Sequence, residues 1–141
     1  MGSRYEFTDE TMNYEGRVLH RIRRLSDGKL GGWLESEKNL SQDGNCWVFE
    51  NAKVYDNVRV YDNAKIDGDA EVFGNAKIYG SANVGENVRV YGNAQVYEHA
   101  WIFGNAQVCG TAKVFGDTRV YDNVKLIDGE HDTGEYNNRK L

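Results

Sequence analysis

Few side chains in this 141-residue chain could carry acid–base or metal chemistry. Its only histidines are His20, His99 and His131. An imidazole can act as a general base near neutral pH, and three imidazoles can hold a zinc ion. Because the three lie far apart with no metal-ligand spacing, we predict no metal site and no cofactor. His99 is the one candidate base in the central part of the chain.

Aromatic and cationic side chains, in contrast, recur at short and regular intervals. Arg59 precedes Tyr61 by two residues, and Lys77 precedes Tyr79 in the same way. Residues two apart in a β-strand point to the same side, so each pair would present a cation and a ring together. Such pairs suit an anionic aromatic ligand such as a nucleotide, with the ring against the base and the cation facing the phosphate.

The pairs belong to a six-residue repeat that runs without a break from Cys46. One column is aliphatic throughout: Val48, Val54, Val60, Ile66, Val72, Ile78, Val84, Val90, Val96, Ile102, Val108, Val114, Val120 and Leu126. The column two residues earlier is small: Cys46, Ala52, Val58, Ala64, Ala70, Ala76, Ala82, Val88, Ala94, Ala100, Ala106, Ala112, Thr118 and Val124. A period of six does not hold one face of an α-helix, so helix is excluded.

Strand alternation accounts for the repeat. Both columns point inward and fill a slim interior, while neighbours such as Lys53 and Tyr55 point outward. The next two positions, as in Asp56-Asn57 and Gly74-Asn75, are turn formers that tolerate left-handed backbone conformations. A short strand and a corner, repeated, coil the chain into a prism.

These columns resemble the motif of the hexapeptide-repeat proteins, in which a small residue follows an aliphatic one by four positions. The resemblance covers residues 46–128. It implies an all-β fold, a left-handed parallel β-helix with about 4.6 coils of 18 residues. The position after the aliphatic residue, often Gly in that family, is mostly aromatic here. The stretch from Gly31 to Val48 also resembles the first segment of uncharacterised hexapeptide-repeat proteins from enterobacteria, phages and prophages.

Three regions follow from the register. Residues 1–45 lack it and are predicted to form an N-terminal β-hairpin cap, with strands at Tyr5–Thr8 and Arg17–Leu25 and with Trp33 and Trp47 in its core. Residues 46–128 form the β-helix. Residues 129–141 form a polar C-terminal tail that folds over the last coil or frays.

The resemblance also bears on catalysis. Many relatives are acyltransferases with a histidine base, and some are zinc-dependent carbonic anhydrases. His99 sits at a corner position otherwise held mostly by Asn, so its simplest interpretation is a turn residue. No insertion interrupts the repeat to shape an acyl-donor pocket. We therefore expect no enzyme activity, with an acyltransferase using His99 as the alternative.

Outward residues sort onto three faces at eighteen residues per coil. The first face carries Arg59/Tyr61, Lys77/Tyr79, Gln95/Tyr97 and Lys113/Phe115. The second face carries Lys53/Tyr55, Glu71/Phe73, Arg89/Tyr91, Gln107/Cys109 and Lys125/Ile127. The third face carries Lys65/Asp67, Asn83/Gly85, Trp101/Phe103 and Arg119/Tyr121.

The aromatic columns allow three compatible interpretations. They could stabilise the stack itself, through ring–ring and cation–ring contacts. They could be buried between subunits, because monomers rarely leave such apolar columns bare and hexapeptide-repeat proteins are commonly trimers. They could bind an anionic ligand in a groove between subunits. The candidate ligand-binding or interface residues are Arg59, Tyr61, Lys77, Tyr79, Tyr97, Lys113, Phe115, Tyr55, Phe73, Arg89, Tyr91, His99 and Trp101.

Charge and cysteine usage limit the partners. A net charge of −5 and a pI near 5.2 oppose broad nucleic-acid binding. No apolar run approaches the roughly 20 residues of a membrane helix, so no membrane partner is expected. Cys46 points inward and Cys109 outward, so they are not expected to pair. Unpaired thiols fit the reducing cytoplasm of a bacterial host.

We therefore expect a non-enzymatic binding or interaction module that forms a homotrimer. It would sequester a small anionic, nucleotide-like ligand at grooves between subunits, in a phage or prophage context. A purely structural part of a larger assembly is the remaining alternative.

Overall fold

The computed structural model describes residues 3–138; residues 1 and 2 of the predicted cap and residues 139–141 of the predicted tail lie outside the described residues. The chain forms a β-solenoid of about six turns, in which strands about eighteen residues apart stack in parallel. The predicted all-β parallel coil is confirmed.

Strands account for nearly all regular structure. Three longer strands come first, β1 (Tyr5–Tyr14), β2 (Arg17–Arg24) and β3 (Leu30–Leu34), followed by a 3-10 turn at Glu37–Asn39. Fourteen two-residue strands then end on the aliphatic column: β4 (Trp47–Val48), β5 (Lys53–Val54), β6 (Arg59–Val60), β7 (Lys65–Ile66), β8 (Glu71–Val72), β9 (Lys77–Ile78), β10 (Asn83–Val84), β11 (Arg89–Val90), β12 (Gln95–Val96), β13 (Trp101–Ile102), β14 (Gln107–Val108), β15 (Lys113–Val114), β16 (Arg119–Val120) and β17 (Lys125–Leu126). The last two are β18 (Glu130–His131) and β19 (Glu135–Tyr136).

Three sheets form the walls of the solenoid, and they coincide with the three faces. The first face is the sheet β6-β9-β12-β15-β18, and the third face is β4-β7-β10-β13-β16-β19. The second face is β3-β5-β8-β11-β14-β17, extended at its N-terminal edge by the antiparallel hairpin β1–β2.

Backbone hydrogen bonds join each coil to the next. The N–H of Lys53 donates to the carbonyl of Ala70 at 2.9 Å, and the N–H of Tyr55 donates to Val72 at 3.1 Å. The same pairing recurs along the stack, so every outward side chain lies directly over its equivalent in the neighbouring coil. The walls are therefore rigid supports for the outer columns.

The interior is filled as the two columns predict. Their members from Cys46 to Val120 are at most 1% exposed, whereas Val124 and Leu126 near the C-terminal end are only partly buried. Thr118 is the one hydroxyl in the small column. Its Oγ1 lies 2.8 Å from the carbonyl of Phe115 and 2.9 Å from that of His131, which satisfies it inside the core.

The parallel stack extends beyond residues 46–128 at both ends, so the estimate of about 4.6 coils is too low. β3 pairs in parallel with β5, and β18 and β19 pair with β15 and β16. The end segments do not continue the two six-residue columns. They are held in the stack by backbone hydrogen bonds, which need no particular side chain.

Candidate functional site

The first face carries a continuous column of rings, which we name the ring column (Tyr61, Tyr79, Tyr97 and Phe115). Successive ring centroids lie 4.8, 4.9 and 4.8 Å apart, and the ring planes are parallel within 3°. Because the coil spacing sets these distances, each inner ring is covered on both sides. Burial raises the pKa of Tyr61, Tyr79 and Tyr97.

This stacking limits what the ring column can bind. A planar ligand can lie between two inner rings only if the coils separate, which would break the backbone hydrogen bonds between them. The inner rings therefore offer their edges to solvent. A free ring face is found only where the column ends.

A row of cations stands beside the ring column. Arg59 and Lys77 are adjacent in register, followed by Gln95 and Lys113. Gln95 accepts a hydrogen bond from the Tyr79 hydroxyl at 3.2 Å. Within residues 3–138, Arg59, Lys77 and Lys113 have no ion-pair partner. Their charges are thus available to an anion.

The N-terminal end of the ring column opens into a shallow depression of about 460 Å³. Its lining includes Arg59, Tyr61 and Lys77 from the first face, together with Lys38 and Ser41 from the segment before β4. The six-residue repeat does not predict Lys38 and Ser41 as part of this site, because residues 37–45 lie outside the register and only the fold brings them beside β6.

The second face is partly covered by the chain itself. The tip of the β1–β2 hairpin folds over it, so that Tyr55 is only 2% exposed and packs with Leu19 and Trp33. The hydroxyls of Tyr14 and Tyr55 donate to the two carboxylate oxygens of Glu71, at 2.6 and 3.0 Å. Burial, reinforced by Glu71, raises the pKa of both tyrosines. Tyr55 is therefore out of reach of a ligand or a second subunit.

The remainder of the second face continues the stack below Tyr55. Phe73 stacks between Tyr55 and Tyr91, at 5.3 and 4.9 Å. The Tyr91 hydroxyl donates to Gln107 at 2.8 Å, and Cys109, although outward-facing, is only 5% exposed. Arg89 is exposed beside these rings. More of the outward polar side chains on the second face are hydrogen-bonded to one another than on the first face.

The third face exposes one large ring. Trp101 is 45% exposed, and its ring lies 4.8 Å from that of Phe103 with a 42° tilt. The guanidinium of Arg119 lies 5.3 Å from the Trp101 ring, and Phe103 stacks on Tyr121 at 4.8 Å. On the N-terminal side of these rings, Gly85 has no side chain, and the carboxylate of Asp67 occupies the space that a Cβ there would take.

The histidines do not come together. His20 stacks on Phe7 at 4.4 Å, and His131 lies near the C-terminus with Nε2 2.9 Å from the Asp128 carbonyl. His99 is an exposed corner residue whose backbone N–H donates to Gly116. In the part of the chain that the structure describes, no hydrogen-bond partner orients the His99 imidazole.

The described residues also bear on metal binding and on membranes. Across residues 3–138, no group of three or more His, Cys, Asp or Glu side chains could hold a metal ion. Over the same range, no helix is both long and apolar enough to cross a bilayer.

Compared with known proteins, the sequence matches no family model, and no curated protein is similar enough to count as a relative.

Proposed function

We propose that this protein is a non-catalytic binding module that holds a small anion with a planar ring, such as a nucleotide, against the first face. One observation carries the proposal: Arg59, Lys77 and Lys113 stand unpaired beside the ring column. In a chain with a net charge of −5, this row is a local positive strip on a rigid wall. Cations fixed on a wall attract an anion without first reorganising.

The ring column gives the proposed ligand its second feature. Rings beside cations favour a molecule that combines an aromatic group with phosphate over a simple inorganic anion. The inner rings would offer edges and their hydroxyl groups, and the column end would offer a free ring face. The second face also has an exposed cation, Arg89, beside its rings, but the N-terminal end of its ring stack is closed, because Tyr14 and Tyr55 both donate to Glu71.

We further propose that the protein acts as a homotrimer associated through its third face. The exposure of Trp101 supports this, because a large bare ring on a flat wall favours burial against a second copy. A groove between subunits would add the concavity that a single flat wall lacks.

The wider proposal places the chain in the hexapeptide-repeat superfamily, with the left-handed coil and the phage or prophage context that the resemblance implies. The unbroken register and the six-turn solenoid support the superfamily. Sequestration of a nucleotide signal is the role that this combination favours. The unpaired cysteines Cys46 and Cys109 fit a reducing bacterial cytoplasm.

Titration calorimetry with a panel of mono-, di- and cyclic nucleotides tests the binding proposal. We expect at least one to bind, with an affinity that falls as salt rises. Arg59→Ala should weaken it at least about tenfold, since charge-assisted hydrogen bonds contribute about 1.5–3 kcal/mol.

Lys65→Ala, which removes an exposed cation from the third face, is the matched control and should leave affinity unchanged. Absence of binding across the panel at millimolar nucleotide would overturn the proposal.

A further inference from the structure

The ring column ends at Tyr61 with one ring face free of any aromatic neighbour. In the preceding coil, Leu40 forms a parallel bridge with Val60, and the Ser41 N–H donates to the Val60 carbonyl at 2.9 Å. Ser41 therefore occupies the level at which another ring would continue the column. Tyr61 has a stacked partner on one side only, Tyr79 at 4.8 Å.

The space beyond that free ring face is the depression of about 460 Å³, within the size range of small-molecule sites. Three cations line it: Lys38, Arg59 and Lys77. Glu37 is the only carboxylate in the lining. The residues that line the depression thus carry a net positive charge, which favours an anion there even with Asp62 next to Tyr61.

The wall opposite the ring column is held in place by the N-terminus. The Tyr5 hydroxyl donates to the Leu40 carbonyl at 2.5 Å, and Arg4 Nη2 donates to the Ser41 carbonyl at 2.6 Å. Gln42 Oε1 accepts from the Arg4 N–H at 2.7 Å. A wall fixed in this way needs no ordering when a ligand arrives, which favours affinity.

The other end of the ring column is different. Phe115 has no hydroxyl, and the neighbouring Lys113 pairs in register with Glu130 of β18. The Glu130 carboxylate weakens the attraction of Lys113 for an anion at this end, whereas at the other end Arg59 lies beside a second cation, Lys77. The two ends of the same column are therefore electrostatically unlike.

We propose that the depression at Tyr61 is the stacking site of the ligand. The free face of Tyr61 takes the planar ring of a phosphate-bearing heteroaromatic molecule, and Lys38, Arg59 and Lys77 surround its phosphate. This inference rests on the proposed function and deepens it, because it places the ligand at one end of the ring column and not along its length.

Titration calorimetry with adenosine 5′-monophosphate as the probe tests this placement. Adenosine has the planar ring without the phosphate, and inorganic phosphate has no ring. Both should therefore bind more weakly than the nucleotide. Tyr61→Leu should lower the affinity about tenfold, the range for removing one ring that stacks on a base. Tyr61→Phe should retain the native affinity within about twofold.

Phe115→Leu is the matched control, since it removes the ring at the opposite end of the same column and should change affinity less than about twofold. Lys38→Ala is a second test of the same site, which still applies if Tyr61→Leu disturbs folding. Lys38 is exposed and outside both inward columns, and its loss should still weaken binding about fivefold or more.

The outcomes separate the two proposals. Nucleotide binding that survives both Tyr61→Leu and Lys38→Ala but is lost in Arg59→Ala would overturn the placement and leave the proposed function standing. Equal losses in Tyr61→Leu and Phe115→Leu, with both proteins folded, would also overturn the placement. Failure of the native protein to bind any nucleotide would overturn both.

Discussion

At each corner of the solenoid, one residue adopts a left-handed backbone, and it is the first of the two turn residues. Glutamate does so at Glu50, Glu86 and Glu98, with φ of 56°, 56° and 57°. Such values are uncommon for residues with a Cβ. The carboxylate compensates by accepting a hydrogen bond from the next coil, as when Glu98 accepts from the Gly116 N–H at 3.0 Å.

Acidic residues and glycine alternate along two of the three corners. One corner reads Gly44, Asp62, Gly80, Glu98 and Gly116, and another reads Glu50, Gly68, Glu86, Gly104 and Asp122. Two carboxylates in neighbouring coils would lie close together and repel. The alternation keeps them two coils apart. It also gives four of them a glycine N–H to accept from, namely Glu50, Asp62, Glu86 and Glu98, whereas Asp122 accepts from the Asn138 N–H at 3.3 Å. The sequence contains this pattern, and the third corner, where Asp56 precedes three glycines, begins in the same way.

Substitutions at Glu98 should separate the cost of its left-handed backbone from the gain of the hydrogen bond that its carboxylate accepts. Glu98→Ala keeps the left-handed strain and removes the acceptor for Gly116, so we expect a loss of about 1 kcal/mol in the free energy of unfolding. Glu98→Gly removes the acceptor and the strain together, so it should be more stable than Glu98→Ala by about 1 kcal/mol. Urea unfolding measures both. An alanine variant as stable as the glycine variant would contradict this account of the corner.

At the scale of elements, strand β3 joins the cap to the solenoid through two glycines. A Cβ on Gly31 would lie 2.7 Å from the Trp47 ring and 2.8 Å from Ile22, and one on Gly32 would lie 2.6 Å from the Ala52 carbonyl. The backbone of β3 therefore packs directly on the first coil. This explains why two glycines precede Trp33.

Gly31→Ala should therefore weaken the junction between cap and solenoid. The added methyl meets backbone and ring atoms that cannot move independently, and overpacking of this kind costs about 1–3 kcal/mol. We expect a lower urea midpoint for Gly31→Ala. Ser26→Ala, an exposed turn residue of the same cap, should stay within about 0.5 kcal/mol of the native protein. Equal urea midpoints for Gly31→Ala and the native protein would contradict this expectation, because they would show that β3 can shift to accommodate the methyl group.

The hairpin β1–β2 is the element that changes how the second face is interpreted. Periodicity places Tyr55 in an outward column, and it does point outward, but the hairpin tip covers it. Leu19, Trp33 and Tyr14 come from segments without a six-residue register, so no spacing rule relates them to Tyr55. Their burial depends on where the hairpin lies after the chain has coiled.

At the scale of the whole molecule, the three walls of the solenoid differ in how far their outward side chains are covered or paired with one another. The second face is partly covered, the first face has open cations, and the third face has an open tryptophan. The proposed trimer uses the third face and leaves the first face for ligand. Native mass spectrometry should then find a species of three times 16.0 kDa.

Trp101→Ala should shift that species to the monomer, because it removes the large apolar ring that the subunit contact would bury. Lys125→Glu, on the second face, is the control and should leave the trimer intact. A native protein that is strictly monomeric at micromolar concentration would exclude this mode of association.

The sequence by itself determined the coil. Val or Ile in one column and a small residue in the other recur every six residues, and these local rules place the two-residue strands β4 to β17, the corners between them and all three outer faces. They do so because every repeat contacts only its neighbours, so a local pattern becomes the global one.

Only the tertiary structure decided which outward side chains remain accessible. It extended the stack to about six turns, buried Tyr55 under the hairpin, and brought Lys38 and Ser41 beside Tyr61. These contacts join segments outside the register, and they depend on how the two ends of the chain fold back onto the coil. The candidate site lies at such an end, where the local pattern stops.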